Sequence, residues 1–127
     1  MIVPIEKIIA KAEDTMSDAR FNYEYERYEA CVNRAYYAVF YCITALLEVK
    51  QVYAKTHQGS HNKFNELYLK TELMPQSLND SLDTVFSLRQ AGDYDFRIDI
   101  TELEAQAALE HARTFLAATK SYFGLKG

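Results

Sequence analysis

Apolar residues recur along this chain at spacings of three and four over long stretches, and the period-two alternation of strands is scarce. The pattern predicts five helices. The first runs from about Pro4, suited to a first helical position, to about Arg20, with Ile5, Ile8, Ile9, Ala12, Met16 and Ala19 on one stripe. The second runs from about Tyr23 to Val49, long enough to be a spine, and the loop 51–59 follows. A short third helix spans about Ser60 to Thr71 around Phe64, Leu67 and Tyr68. The fourth starts near Pro75 and ends near Ala91 and Gly92, presenting Leu78, Leu82, Val85 and Phe86, with Gly92 placed as a C-cap. The fifth opens on Thr101-Glu102-Leu103-Glu104, a capping-box spacing, and carries Ala105, Ala108, Leu109, Ala112, Phe115, Leu116 and Tyr122 along one stripe. No repeat or linker interrupts the series. The expectation is one all-α domain over residues 1–127, an up-and-down bundle of four to five helices.

Within the second helix, the run 31–41 (CVNRAYYAVFY) is apolar over most of its circumference, so the helix belongs inside. It nevertheless holds Asn33, Arg34, Tyr37 and Tyr41. At about 100° per residue these fall with Thr44 and Glu48 in a single arc of about 100°. The rest of the circle belongs to Cys31, Val32, Ala35, Tyr36, Val39, Phe40, Cys42, Ile43, Leu46 and Leu47. A buried Arg or Asn must be paired or hydrogen-bonded. The seam therefore lines a cleft or mates with another surface.

Composition narrows the field. Ten Tyr and no Trp favour half-buried surfaces with an apolar ring and a polar tip. A net charge of −4 supplies no global basic field for nucleic acid. Cys31 and Cys42 lie on one helix roughly 16 Å apart along its axis, too far for a mutual disulfide. They read as small buried hydrophobes in a reducing compartment. The start, MIVPIEKII, has no cationic segment or long apolar run of a signal peptide. No stretch approaches the unbroken run of about 18 apolar residues expected of a membrane span. The expected location is cytoplasmic.

Candidate chemistry is sparse. Arg89 emerges from the apolar side of the fourth helix, where it either pairs with Asp93 at i,i+4 or closes the cleft lined by the second helix, offering its fork of donors to phosphate. Thr56, before a helix start, reads as an N-cap. His57 and His61 stand at i,i+4, but no third ligand stands at a telling spacing. No metal site and no cofactor is therefore expected, and His57 reads as a loop hydrogen-bonder. His111 reads as a solvated surface residue. No phosphate-binding glycine loop, nucleophile elbow or Cys–His pairing is present.

Three segments in order, Asn33-Arg34-Ala35-Tyr36-Tyr37-Ala38-Val39-Phe40-Tyr41, Lys55-Thr56-His57-Gln58-Gly59 and Arg89-Gln90-Ala91-Gly92-Asp93-Tyr94, together resemble the HEPN domain family in its small stand-alone prokaryotic branch. The resemblance covers about residues 5 to 123. It implies a helical bundle that is usually a homodimer, commonly encoded beside a minimal nucleotidyltransferase, as toxin with antitoxin or as substrate-binding partner. Many members are metal-independent endoribonucleases. Their motif is an Arg and, after four to six residues, a His at the end of the fourth helix, with a polar residue of the second helix nearby. Two copies meet to form the cleft.

By resemblance Arg89 matches the motif Arg and Asn33 or Arg34 the polar position, with Tyr37, Lys55, His57 and Asp93 around a nucleotide or phosphate. Tyr94 stands where the His is expected. A phenol is a poor general base at neutral pH, whereas imidazole titrates there. In the toxin pairs the antitoxin can transfer AMP to a Tyr two residues beyond the His; Phe96 holds that place here, which leaves Tyr94 as the alternative acceptor. Three functions compete: nucleotide- or phosphate-binding partner of a nucleotidyltransferase, endoribonuclease toxin using Arg89 with Tyr94 or His57, and bare dimerisation module.

Overall fold

The structure is a computed structural model that describes residues 3–126. Five α-helices follow one another: α1 (Ile5–Glu24), α2 (Tyr28–Glu48), α3 (His57–Phe64), α4 (Leu78–Tyr94) and α5 (Glu102–Tyr122). A π-helical turn, Asn65–Leu69, continues α3. No strand occurs among the described residues.

The four long helices alternate in direction. The Val3 amide donates to Glu48 and Tyr23 packs on Tyr28, so α1 runs against α2. Asp93 faces Asn33, with α4 again antiparallel to α2. Tyr28 donates to Glu102 at the start of α5, which then runs beside α2 in the same direction. The α3 and π segments fill the long α2–α4 connection. Because α2 touches all four other α-helices, it is the spine. Around it Tyr36, Tyr68, Phe64 and Phe115 are the largest fully buried side chains, a class that contributes about 1.5–3 kcal/mol each.

By length and mean composition α2 also passes for a membrane span, although polar residues interrupt its apolar run. Here 61% of that stretch is buried inside the bundle, as befits a core helix. Cys31 and Cys42 are free and buried, and burial pushes their thiols up to about 11 and about 12.

Helix boundaries depart from the periodicity in informative ways. Pro4 is the N-cap, one position before the expected first turn. Helix α1 continues to Glu24 and α2 begins only at Tyr28. Between them Arg27 N–H donates to the Asn22 carbonyl at 2.8 Å and Glu26 N–H to that of Tyr23 at 3.0 Å, a Schellman cap. Glu26 takes the left-handed φ of 59° that this cap requires. Helix α2 stops in the same way, with Gln51 at φ 54°.

Helix α3 starts three residues earlier than expected because Thr56 Oγ1 accepts the Gly59 N–H at 2.9 Å. Helix α4 starts later, at Leu78, and runs on through Gly92 to Tyr94. Gly92 is thus no cap. A Cβ there would stand 3.2 Å from Ile100 Cγ1, so glycine lets the segment before α5 pass close to α4. The expected capping box at α5 is present, with Thr101 Oγ1 accepting from Glu104 N at 3.1 Å and Glu104 Oε1 accepting from Thr101 N at 3.0 Å.

Candidate functional site

The seam on α2 exists as an arc of half-buried residues: Asn33, Arg34, Tyr37, Tyr41 and Thr44. Phe40, expected in the apolar arc, joins it. Glu48, at the far end, is buried and accepts from the Val3 amide and the Tyr53 hydroxyl.

Opposite the N-terminal half of this seam lies the last turn of α4. Because α4 continues past Gly92, Arg89 and Asp93 stand one turn apart on one face. Arg89 Nε donates to Asp93 Oδ2 at 3.0 Å, and Asn33 Nδ2 donates to the same oxygen at 3.0 Å. Asn33 Oδ1 in turn accepts from Arg34 Nε at 3.1 Å and Nη2 at 2.8 Å. Arg89 Nη2 reaches the hydroxyls of Tyr37 and Tyr94, each at 3.2 Å. Its guanidinium carbon lies 5.3–5.4 Å from the ring centroids of Tyr36, Tyr37 and Tyr94. Arg89 thus pairs with Asp93 and at the same time packs against α2 through Tyr36 and Tyr37. Its side chain is only 13% exposed, so this pair is shielded more than an ordinary surface ion pair.

Beneath the arginine lies a cluster of aromatic rings. The hydroxyl of Tyr36, a fully buried residue, lies 2.6 Å from His57 Nδ1 and 2.9 Å from His61 Nε2. The His57 ring stacks on Phe40 with centroids 4.3 Å apart, and His61 meets the Phe86 ring edge-on at 4.7 Å. Burial, then the nearby Arg89 charge, lowers the His57 pKa below its usual value. Burial and His57 together push His61 down to about 4. Burial also raises the Tyr36 phenol far above its ordinary range. All three are uncharged at neutral pH, which leaves the guanidiniums and Asp93 as the charged groups of the cluster.

Of the residues singled out from sequence, Asn33, Arg34, Tyr37, His57, Arg89, Asp93 and Tyr94 come together. Lys55 does not: it is exposed in the loop before α3. Tyr94 touches Arg89 but is 67% exposed, and Phe96 is 96% exposed. His57 is more than a loop hydrogen-bonder, since it lies in the first turn of α3 and packs into the site. Periodicity hid Tyr36 in the apolar arc and offered His61 only as half of a metal pair. The available signal was two histidines one turn apart, facing a buried tyrosine that needed a partner. His111 is not a free surface residue either; its Nδ1 lies 3.0 Å from Ser81 Oγ.

Residues 5–122 match the family model of the HEPN domain. A Methanocaldococcus jannaschii protein named "Putative toxin MJ0142" is 36% identical over 93% of this chain and 80% of its own length. A Thermotoga maritima protein named "UPF0332 protein" is 32% identical over 89% of each chain. An Archaeoglobus fulgidus protein of the same name is 31% identical over 92% of this chain and 93% of its own.

Proposed function

Because the chain belongs to the HEPN family, we propose that it is a cytoplasmic nucleotide- or phosphate-binding protein partnered by a minimal nucleotidyltransferase in a toxin–antitoxin-like pair. The observation that carries this reading is the charge count at the α2–α4 seam. Arg34 and Arg89 share a hydrogen-bonded network with one carboxylate, Asp93, so within that network one positive charge is unmatched, with Glu29 the next carboxylate beside Gly92. A planar guanidinium held by three tyrosine rings is preorganised for a phosphate oxygen. The relative named as a toxin supports the pairing. As part of the proposal the protein acts as a homodimer.

Titration with nucleoside mono- and triphosphates tests this. A charge-assisted contact contributes about 1.5–3 kcal/mol, so Arg89→Ala is expected to weaken binding roughly 10- to 100-fold. Equal binding by both proteins would remove the seam from the function and leave a bare dimerisation module. With the cognate transferase and ATP, the exposed Tyr94 hydroxyl beside Arg89 is the expected AMP acceptor. Mass spectrometry showing no adduct on Tyr94 would end that part.

One observation favours a second reading, a metal-independent endoribonuclease. His57 is neutral at pH 7, the state a general base needs, and stands beside Arg89. With His57 Nδ1–H donating to the Tyr36 oxygen and the Tyr36 hydroxyl donating to His61, His57 Nε2 keeps the lone pair that would meet a 2′-hydroxyl. RNA cleavage lost in both Arg89→Ala and His57→Ala, but indifferent to chelator, would establish it. No cleavage by the purified protein would leave the binding role alone.

A further inference from the structure

Next to the arginine cluster, between the α3–π segment and α4, lies an open cleft of about 330 Å³. We propose that this cleft is a base subsite, taking an amino-bearing nucleobase of the adenine type whose phosphate lies at Arg89. It rests on the phosphate reading of Arg89 and extends it.

The volume sits at the lower end of small-molecule sites, the scale of one base and not of an extended polymer. Amide and carboxylate groups dominate its wall, and their internal hydrogen bonds fix which way they face. Asn65 Nδ2 donates to Asn79 Oδ1 at 3.2 Å, and Asn79 Nδ2 donates to Asp83 Oδ2 at 3.4 Å. Gln58 Nε2 donates to Asn62 Oδ1 at 3.0 Å. The wall offers Asn65 Oδ1, Gln58 Oε1 and the carboxylates of Asp83 and Glu66 as acceptors, with the Lys70 ammonium, Asn62 Nδ2 and the second N–H of each engaged amide as donors. The two carboxylates only accept, so a base lying against them gains from the two N–H of an exocyclic amino group, which an oxygen at that position replaces with lone pairs while leaving one ring N–H beside it.

Two further features single this cleft out from an ordinary wet surface groove. Phe86 supplies an aromatic wall, half-buried and packed 5.4 Å from the Tyr36 ring. The π-helical turn borders the cleft, with Lys70 N–H bonded to the Asn65 carbonyl at 2.9 Å; such turns collect at functional sites. The cleft and the arginine share a floor. Phe86 lies one turn before Arg89 on α4, about 5 Å along the axis, and Gln58 follows His57 on α3. His61, 6% exposed, lines the cleft and also contacts the Tyr36 hydroxyl beneath Arg89.

The experiment is calorimetric titration of the full chain with AMP, with IMP, which replaces the amino group by an oxygen, and with inorganic pyrophosphate. AMP is expected to bind about tenfold or more tightly than IMP. Asp83→Asn should erase that preference while leaving pyrophosphate binding unchanged. Arg89→Ala should weaken AMP and IMP alike and keep their ratio. Equal affinity for AMP and IMP, or pyrophosphate binding as tightly as AMP, would overturn the base subsite while sparing the Arg89 reading. AMP still preferred over IMP, but bound as tightly by Arg89→Ala as by the wild type, would do the reverse.

Discussion

The Tyr36 hydroxyl has one proton to give and two histidine nitrogens to satisfy, so one of His57 and His61 presents an N–H to it and the other a lone pair. The ring that accepts must be neutral, and burial keeps the donating ring neutral as well. His61 carries the larger consequence, because its folded pKa of about 4 lies below the unfolded value of 6.5. The unfolded chain binds the proton first, so the stability is fully present above pH 6.5 and is lost as pH falls through the window toward 4. The amount is about 3 kcal/mol. Urea midpoints should fall steeply across that window in the wild type and flatten in His61→Phe; an unchanged slope in the variant would place the acid sensitivity elsewhere. Tyr36→Phe keeps the ring but leaves the buried His61 Nε2 without its partner, an expected loss of about 1–3 kcal/mol. Tyr36→Ala removes a fully buried aromatic and should cost about 3–5 kcal/mol. Phe40 is only half-buried and should lose less on the same truncation, which thermal melts of the two variants compare directly.

Among the elements, apolar spacing made the existence and order of all five helices legible, and the Thr101 box fixed the start of α5. The ends of α1 and α2 were not legible, for a physical reason. Left-handed C-cap positions announce themselves when glycine fills them, and here Glu26 and Gln51 do. The glycine that looked like a cap, Gly92, is instead a point of close approach inside α4; the helix continues beyond it through Asp93 and Tyr94, and so Asp93 reaches Asn33. A non-glycine residue in this conformation costs on the order of 1 kcal/mol. Glu26→Gly and Gln51→Gly should each therefore stabilise the bundle by up to about 1 kcal/mol, part of it offset by the freer unfolded chain. A melting temperature lowered by either change would mean that the native side chain does more at the turn than bend the backbone. The same limit applied to the site. Arg89, Asp93 and the α2 seam could be read from periodicity and motif, whereas the Tyr36–His57–His61 contact joins residues more than twenty positions apart and needed the fold.

For the whole molecule, the segment between α4 and α5 poses an energetic problem for a lone chain. Tyr94, Phe96, Ile98 and Leu103 are 67%, 96%, 41% and 75% exposed, and they stand at the same end of the bundle as the arginine seam. Clustered large apolar residues at a surface mark an interaction site more often than chance exposure does. A standard interface buries about 800 Å² per partner, roughly a tenth of the 7402 Å² surface of this chain. Four side chains do not supply that much, so a dimer formed here must also draw in neighbouring surface, and the outer side of the α2–α4 seam is adjacent. Sedimentation should then give twice the 14.7 kDa chain mass for the wild type, and Phe96→Asp should shift the protein toward the monomer. A dimer untouched by that charge would place the interface on another face. The same variant separates the two functional readings. Every residue of the Asn33–Asp93–Arg89 network comes from one chain, so nucleotide affinity should survive dissociation within a factor of a few. A nuclease cleft shared between two copies would not, and any RNA cleavage should vanish with the dimer.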